Sequence, residues 1–306
     1  MGKTVIPNGG PNDRAVLQGL YLHPGVVGNL FYVSSSSGSS SGPGFTPENA
    51  YATLAQAVSA ATASNGDVIV LLPGHTETVA SAGLALSKAG LTIIGLGNGA
   101  NRPTFTWSAT DSVMTISAAN VVLQNIRCTV SIDEVVSMIL VTGANVKLDA
   151  VDFFETASAQ AIQFLLTTAA ADDLEICNCR HYQVNAAAAT QAWIGLVGAD
   201  RAYIHDNTFI LALKDNASSG VIVQSTTACL NIEIARNKIK MTGYSAALVA
   251  AFKSANTTTG LIVDNRIGCD VAANTTVNDM AGCYSFNNLV TNAADTSGIL
   301  DPVADT

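Results

Sequence analysis

The chain has few charged residues and few aromatic ones. Of its 306 residues, 12% are charged and 6% are aromatic, and 14 Lys and Arg stand against 23 Asp and Glu, a formal net charge of -9. Proteins that bind nucleic acid neutralise phosphates with clustered Lys and Arg. Because the sequence contains no basic stripe, it predicts no nucleic-acid partner.

Long apolar runs are also lacking, although 48% of the residues are hydrophobic. No run approaches the roughly 20 residues that a membrane-spanning helix needs. The opening residues, MGKTVIPNGG, lack the continuous apolar stretch of a secretory signal. We therefore expect a soluble protein, made in a cytoplasm, that buries a large core in one elongated domain and has no membrane partner.

Metal-ligand spacings and cofactor motifs are missing as well. The four His are scattered and form no ligand pair in the sequence. Six cysteines fall within or beside apolar strand patterns, where free Cys as a small apolar filler is favoured over a disulfide or a metal site. These are Cys128, Cys177, Cys179, Cys229, Cys269 and Cys283. We expect no cofactor and no metal.

What the chain does contain is a repeat of about 28 residues. Alternating apolar and polar positions recur in RAYIHDNT at 201–208, IEIARNKI at 232–239 and GLIVDNRI at 260–267. Alignment of such segments gives one apolar column: Ile93, Leu123, Leu148, Ile176, Ile204, Ile234 and Ile262. A strand repeat of this length is typical of a solenoid whose coils stack about 4.8 Å apart.

A second column lies three residues after the first and changes along the chain from apolar residues to Asn. It reads Leu96, Ile126, Val151, Cys179, Asn207, Asn237 and Asn265. Straight alternation would turn this position outward, so the chain must bend there for the side chain to face in. We predict that Asn207, Asn237 and Asn265 form a buried ladder, each amide bonding to those above and below it.

The chain divides into four segments. Residues 1–30 form a Gly- and Pro-rich arm, 31–65 a strand, a Ser/Gly loop and a capping helix, 66–290 the parallel β-helix, and 291–306 a polar tail. The arm is either a disordered leader or, as we favour, an anchor that docks to another subunit. We expect about eight coils with at least two strands each, and a tail too thin to cap the last coil, so that another subunit covers it.

The second segment carries a helix signal. Thr53 and Gln56 fit a capping box, and Asn65-Gly66 is expected to end the helix. Its apolar face is predicted to comprise Leu54, Ala57, Val58 and Ala61. The Ser-rich run at 34–44 is expected to be a flexible loop.

The order of these segments resembles a known family. The succession Phe31-Tyr-Val, PENAYATLAQAVSAA, GDVIVLLPG and LTIIGLGNG resembles the opening of right-handed parallel β-helix proteins of the pectate-lyase-like class, and the likeness extends to about residue 290. The segments GHTET and GLGNGANRPTFT resemble β-helix proteins of tailed bacteriophages. The resemblance implies an all-β, right-handed parallel β-helix, but a fold does not determine a function.

That class includes pectate lyases, polygalacturonases, pectin methylesterases and phage tailspike depolymerases, whose sites lie on the outer face of the coils. Signatures resembling theirs, such as N-T-D-G, G-H-G, Q-D-T and Trp-Ile-Asp-His, are missing here. The best catalytic candidates are Glu175 and Glu233, which are two coils and about 9 to 10 Å apart with Tyr203 between them, near the upper limit for an inverting glycosidase pair. The favoured alternative is a solvated face on which Lys147 and Glu175 pair across neighbouring coils.

Other outward columns favour a structural surface. Charges often alternate between adjacent coils in two columns: Arg127, Asp152, Arg180, Thr208, Lys238 and Arg266, and Asp206, Arg236 and Asp264. Such alternation is what cross-strand pairing requires. The signal for sugar binding is weak, because the chain has only two Trp, and Trp193 lies in an apolar strand.

The expectation drawn from these patterns is a non-enzymatic structural protein of a phage virion, assembled in the host cytoplasm. The resemblance favours a homotrimeric capsid decoration or head-fibre protein, docked to the major capsid protein or another virion protein through residues 1–30. Two alternatives stay open: a tailspike-type polysaccharide depolymerase, and an adhesin that binds a host surface glycan without cleaving it.

Overall fold

Three stacked sheets wind around one apolar interior in the computed structural model. The structure describes residues 28–155, 159–183, 185, 192–212, 220–224, 227–242, 250–254, 257–269, 278–279, 281–291 and 299–301. All but the last three residues of the expected arm, and most of the expected tail, lie outside the described residues.

Each coil supplies one strand to each sheet. Sheet 1 contains β1 (Leu30–Val33), β2 (Val68–Leu71), β5 (Thr92–Gly95), β8 (Val122–Gln124), β11 (Lys147–Asp149), β14 (Glu175–Cys177), β17 (Tyr203–His205), β20 (Ile232–Ala235), β23 (Gly260–Val263) and β26 (Cys283–Phe286). Sheet 2 contains β3 (Thr76–Val79), β6 (Thr104–Trp107), β9 (Arg127–Val130), β12 (Asp152–Phe154), β15 (Arg180–Tyr182), β18 (Thr208–Ala212), β21 (Lys238–Thr242), β24 (Arg266–Cys269), β27 (Asn288–Thr291) and β28 (Ile299–Asp301). Sheet 3 contains β4 (Leu84–Leu86), β7 (Met114–Ile116), β10 (Ile139–Val141), β13 (Leu165–Thr167), β16 (Ala192–Leu196), β19 (Gly220–Gln224), β22 (Ala250–Ser254) and β25 (Asn278–Asp279).

The expected fold class, a right-handed parallel β-helix, is confirmed. In the part of the chain that the structure describes, neighbouring strands pair in parallel except β27 with β28, which are antiparallel. Strands β2 to β25 form coils that each have one strand in every sheet. Because β1 precedes these coils and β26 and β27 follow them, the stack has more layers than the expected eight or so coils. Each coil has three strands rather than the minimum of two.

Most strands of sheet 2 are hard to recognise in the sequence, because from β8–β9 to β23–β24 only two residues separate them from the preceding strand of sheet 1. Between β17 and β18 these are Asp206, whose φ of 55° is left-handed, and Asn207. The same left-handed residue recurs in other coils at Asn125, Ala150, Asn178, Arg236, Asp264 and Asn287. The bend therefore lies one residue before the Asn column, which leaves the Asn side chain free to point inward.

The apolar column of sheet 1 stacks in the expected register. Its seven members pair consecutively from Ile93 to Ile262, and Ile69 and Ser285 extend the column at its two ends. Leu96 departs from the second column. A 3-10 turn at Gly99–Asn101 lengthens its connection, and Leu96 packs in a small cluster outside the main core.

The first coil is covered by a short helix, α1 (Leu54–Ala60). Both halves of the predicted capping box are formed, and the apolar residues of its predicted face are buried. The helix ends before Asn65-Gly66, the predicted end, because Ala61 is already extended. The following turn is organised by buried Asp67, whose carboxylate accepts from the main chain of Thr62 at 2.7 Å.

The Ser-rich run at 34–44, expected to be a flexible loop, lies against the first strands of sheet 1. The main-chain N–H of Tyr32 donates to the carbonyl of Gly44 at 2.7 Å, and that of Ser34 donates to Tyr51 at 2.8 Å. A Cβ at Gly38 would lie 2.2 Å from the carbonyl oxygens of Ser34 and Tyr51. Glycine thus lets this segment approach the sheet closely enough to cover its apolar outer face.

Apolar side chains fill the interior, and the chain turns back on itself beyond the last coil. Both Trp are fully buried, and none of the six cysteines, all of which the structure describes, forms a disulfide; five are buried and Cys283 is partly exposed. At the C-terminal end, β28 folds back on β27, so part of the tail does cover an edge of sheet 2. Among the described residues no helix is long and apolar enough to cross a membrane.

Candidate functional site

The outer face of sheet 1 carries the residues that the sequence nominated for catalysis. Lys147, Glu175, Tyr203 and Glu233 lie in register on the neighbouring strands β11, β14, β17 and β20. The structure therefore places Tyr203 between the two carboxylates, as predicted. It also shows what each of these groups contacts.

Glu175 is held by two basic side chains. Its Oε1 accepts from Lys147 Nζ at 2.8 Å and lies 3.2 Å from His205 Nε2. Burial alone would raise the pKa of Glu175, but the hydrogen bonds with Lys147 and His205 outweigh it, and the net pKa shift is downward. A general acid must hold its proton near neutral pH, so this environment disfavours that role for Glu175.

Tyr203 lies on the strand between those of the two carboxylates, and its side chain contacts other neighbours. Its hydroxyl accepts from Arg236 Nη2 at 2.8 Å, and its ring stacks on that of His205 with the centroids 3.8 Å apart. An inverting glycosidase needs room for a water between its two carboxyl groups, and a retaining one needs them about 5 Å apart. Glu175 and Glu233 are two coils apart, which is too far for a retaining pair and near the upper limit for an inverting one.

Two neighbours of Glu175 were not nominated from the sequence. Cys177 pairs in register with His205 on the next coil, and Glu175, Cys177 and His205 bring one ligand atom each to within 4.8 Å of one another. His205 Nδ1 lies 2.7 Å from Asp206 Oδ2. The signal that could have found this cluster is an offset of one coil between His and Cys at outward positions of the repeat.

The predicted Asn ladder is a row of buried amides along the bend between sheets 1 and 2. Nδ2 of Asn207 donates to Oδ1 of Asn237 at 2.9 Å, and Nδ2 of Asn237 donates to Oδ1 of Asn265 at 3.0 Å. A fourth member, Asn288, accepts from Asn265 at 2.9 Å, and the main chain of Cys179 donates to Asn207 at the other end. Each Asn Nδ2 also donates to a main-chain carbonyl: Ile176, Ile204, Ile234 and Ile262. The ladder satisfies its own polar groups and offers none to a ligand.

Charges on the outer face of sheet 2 pair in its first half. Buried Asp152 accepts from Arg180 at 2.8 Å and from Arg102 at 2.6 Å. The adjacent Arg127 lies over the ring of Phe154, 5.6 Å from its centroid. The expected alternation of charge is present here.

The second half of the same face does not alternate. Lys238 pairs in register with Arg266, and Lys240 lies two residues along on the same side. These three cations line a groove of about 490 Å³ whose described lining residues include no carboxylate. Exposed Phe154 and Tyr182 form an aromatic pair two coils below, with ring centroids 5.7 Å apart. Sequence reasoning missed this pair because it looked for Trp.

Apolar side chains are exposed at the C-terminal end of the stack. Tyr284 is 75% exposed and Phe286 is 49% exposed, both on the outer face of β26, and Leu261 and Leu289 lie on adjoining strands. Among the described residues, β26 is the last strand of sheet 1 and pairs on one side only. An edge with large apolar side chains beside it is a typical contact surface for another chain.

The chain is similar to known proteins in its fold alone. No protein-family model matches the chain, and no curated protein is similar to its sequence. A solved rhamnogalacturonan lyase is similar in structure with a TM-score of 0.51 and 15% identity, covering 80% of this chain and 71% of the lyase. A pectin methylesterase from carrot is similar with a TM-score of 0.50 and 13% identity, covering 89% of this chain and 86% of the esterase. At these identities the likeness shows the pectate-lyase-like β-helix fold alone.

Proposed function

We propose that the protein is a non-enzymatic structural component, a rigid β-helix that works by docking to other chains. The observation that carries this proposal is the exposed apolar surface at the C-terminal end, around Tyr284 and Phe286. On the outer face of sheet 1, by contrast, Glu175 and Tyr203 are tied into hydrogen bonds with Lys147 and Arg236. Hydrogen-bonded polar groups on this face and exposed apolar side chains at the end favour assembly over catalysis.

The assembly that we propose is a homotrimer with its contact at this end. Light scattering at micromolar concentration is expected to give the mass of a trimer, and the double variant Tyr284→Lys and Phe286→Lys is expected to give a monomer. Phe154→Lys with Tyr182→Lys is a matched control, because it removes two exposed aromatic residues far from the end. A wild-type monomer at these concentrations would contradict the proposal.

Within this role, we propose a place in the virion of a tailed phage, as a capsid decoration or head-fibre protein assembled in the host cytoplasm. The support is the resemblance of GHTET and GLGNGANRPTFT to phage β-helix proteins, and a polar arm, residues 1–30, of the kind that anchors one chain on another. The purified protein is expected to bind empty capsids, through the major capsid protein or another virion protein. Loss of the arm should abolish binding, and binding that survives without it would contradict the anchoring role.

The enzymatic alternative is a polysaccharide depolymerase, and one assay distinguishes it from the structural role. Release of reducing ends from a host polysaccharide, lost on Glu175→Gln or Glu233→Gln, would overturn the structural proposal. We expect no release, because hydrogen bonds with Lys147 and His205 hold the pKa of Glu175 below its usual range and so disfavour it as a general acid.

A specific observation favours a second candidate function, non-cleaving recognition of an acidic glycan. The groove on sheet 2 places Lys238, Lys240 and Arg266 side by side, and exposed Phe154 and Tyr182 on the same face can stack on sugar rings. Like charges opposite each other destabilise a sheet, so an anionic ligand would relieve their repulsion.

Glycan-binding measurements test this candidate. We expect saturable binding of a uronate-rich polysaccharide without turnover, and no binding of its neutral counterpart. Lys238→Glu should weaken the binding, while Lys88→Glu, outside the groove, should leave it unchanged. Equal binding of the acidic and neutral polysaccharides would refute it.

A further inference from the structure

The cluster around His205 on the outer face of sheet 1 has the composition of a metal site. Glu175 and Cys177 lie two residues apart on β14 and so point to the same side, and His205 on β17 faces Cys177 in register. One ligand atom from each lies within 4.8 Å of the other two, and the Glu175 Oε1 to His205 Nε2 distance is 3.2 Å. Three atoms converging at this separation can bind one ion as adjacent corners of a tetrahedron.

The two nitrogens of His205 support this interpretation. Nδ1 lies 2.7 Å from the carboxylate of Asp206, and Nε2 faces the carboxylate of Glu175. A neutral imidazole has one N–H, and when Nδ1 donates it to Asp206, the lone pair of Nε2 lies on the side of Glu175 and Cys177, where it can bind a cation. A cation placed there would exchange the hydrogen bond between Nε2 and Glu175 for one bond to each of these two ligand atoms. A carboxylate on the far nitrogen is also the usual partner that orients a metal-bound His.

We infer that Glu175, Cys177 and His205 bind a zinc ion. A thiolate, an imidazole and a carboxylate together suit borderline-soft Zn²⁺ rather than Mg²⁺ or Ca²⁺, which prefer oxygen ligands. Zn²⁺ displaces the thiol proton of Cys177, which passes to solvent, and no electron transfer is involved. The side chains of His205 and Glu175 are 13% and 33% exposed, which leaves the fourth position open to water.

Neighbouring charges are compatible with the ion. Lys147 Nζ now contacts Glu175 Oε1, the oxygen nearest to His205, and must release that oxygen when zinc binds. Asp149 lies on the same strand as Lys147, on the same side, and offers the displaced ammonium another carboxylate. Because β14 and β17 belong to successive coils, the bound ion would join those coils by side chains as well as by main-chain hydrogen bonds.

Metal binding by the full-length chain tests this site. After treatment with a chelator, the protein is titrated with Zn²⁺ by calorimetry and with Co²⁺ by absorption spectroscopy. We expect one equivalent per chain, with a near-ultraviolet thiolate-to-Co²⁺ charge-transfer band that Cys177→Ser abolishes. His205→Asn should weaken the binding, and Asp206→Asn should weaken it about 10- to 100-fold. Cys283→Ser and His75→Asn, which change the same residue types elsewhere, should leave it unchanged.

A readout on the unaltered protein guards against variants that fail to fold. X-ray absorption of the zinc-loaded wild type should show one sulfur ligand at about 2.3 Å. Absence of saturable binding at micromolar Zn²⁺, a zinc shell without sulfur, or an unchanged Co²⁺ spectrum in folded Cys177→Ser would each overturn the assignment.

Discussion

Replacing His181 with Phe should remove most of the acid sensitivity that this residue adds to the fold. His181 is 2% exposed in the interior of sheet 2, and neither ring nitrogen has a hydrogen-bond partner among the described residues. Its nearest neighbours are aromatic, with ring centroids 4.3 Å away at Phe164 and 5.1 Å away at Phe209. Burial lowers the pKa of His181 to about 3.

The direction of the effect follows from the two pKa values. The unfolded chain takes up a proton on this imidazole as the pH falls through about 6.5, whereas the folded chain does not until about 3. Stability is therefore full above the unfolded pKa and decreases as the pH falls across this window. From pH 7 to pH 4.5 the loss attributable to His181 is about 2.5 kcal/mol, at 1.36 kcal/mol per pH unit.

Urea denaturation followed by circular dichroism at pH 7 and pH 4.5 measures this loss. Carboxylates titrate in the same range, so the relevant quantity is the difference between wild type and His181→Phe in how much stability each loses. We expect that difference to be about 2.5 kcal/mol, with the two proteins within about 1.5 kcal/mol of each other at pH 7 because Phe has a similar shape.

Phe209→Leu is the matched control for this experiment. It disturbs the same aromatic cluster but keeps the imidazole, so it should lower stability at both pH values and retain the wild-type dependence on pH. If His181→Phe loses as much stability on acidification as the wild type does, then His181 is not a neutral, dry side chain, and the reasoning fails.

Three further predictions concern the ladder, an ion pair and the thiols. Asn237→Leu should lower the free energy of unfolding, measured by urea denaturation, by about 2 to 4 kcal/mol, because its ladder neighbours lose their hydrogen-bond partners. The same change at exposed Asn49 should lower it far less, and equal losses would contradict the ladder's role. Asp152→Asn should lower the free energy of unfolding by about 3 kcal/mol, because it leaves two Arg without their buried partner. Asp173→Asn, at an exposed ion pair, should barely shift the thermal midpoint, and a large shift there would contradict this account. In the native protein a thiol reagent should modify Cys283 first, slowly because burial raises the pKa of its thiol to about 11, and rapid labelling of several cysteines would contradict the burial seen here.

The repeat could be predicted from the sequence because each coil keeps the same offset between its buried positions. A column from Ile93 to Ile262 could therefore be aligned without any structure, and its register is that of sheet 1. Alignment failed where the coil length changed. Asn288 follows Asn265 after 23 residues instead of about 28, so the fourth member of the ladder was not recognised.

The chemistry of the surface was harder to predict than the stack. Glu175 and Tyr203 could be placed because they share a column. His205 forms no ligand pair in the sequence, because metal motifs are recognised by ligands only a few residues apart. In the fold, Cys177 and His205 meet because they are one whole coil apart. In a solenoid, residues 28 apart are neighbours, and ligand searches have to use that spacing.

The charged columns show how a structural surface can be distinguished from a binding surface. Where charge alternates from coil to coil, as at Asp152 and Arg180, each group has a partner of opposite sign. Such pairs stabilise the sheet, so no ligand is needed to account for them. The pairing of Lys238 with Arg266 does not stabilise the sheet in this way, because two positive charges on neighbouring strands repel each other. Stability alone would favour a carboxylate at one of these positions. Cations that have no carboxylate partner among the described residues are therefore a better guide to a ligand than charges that are already paired.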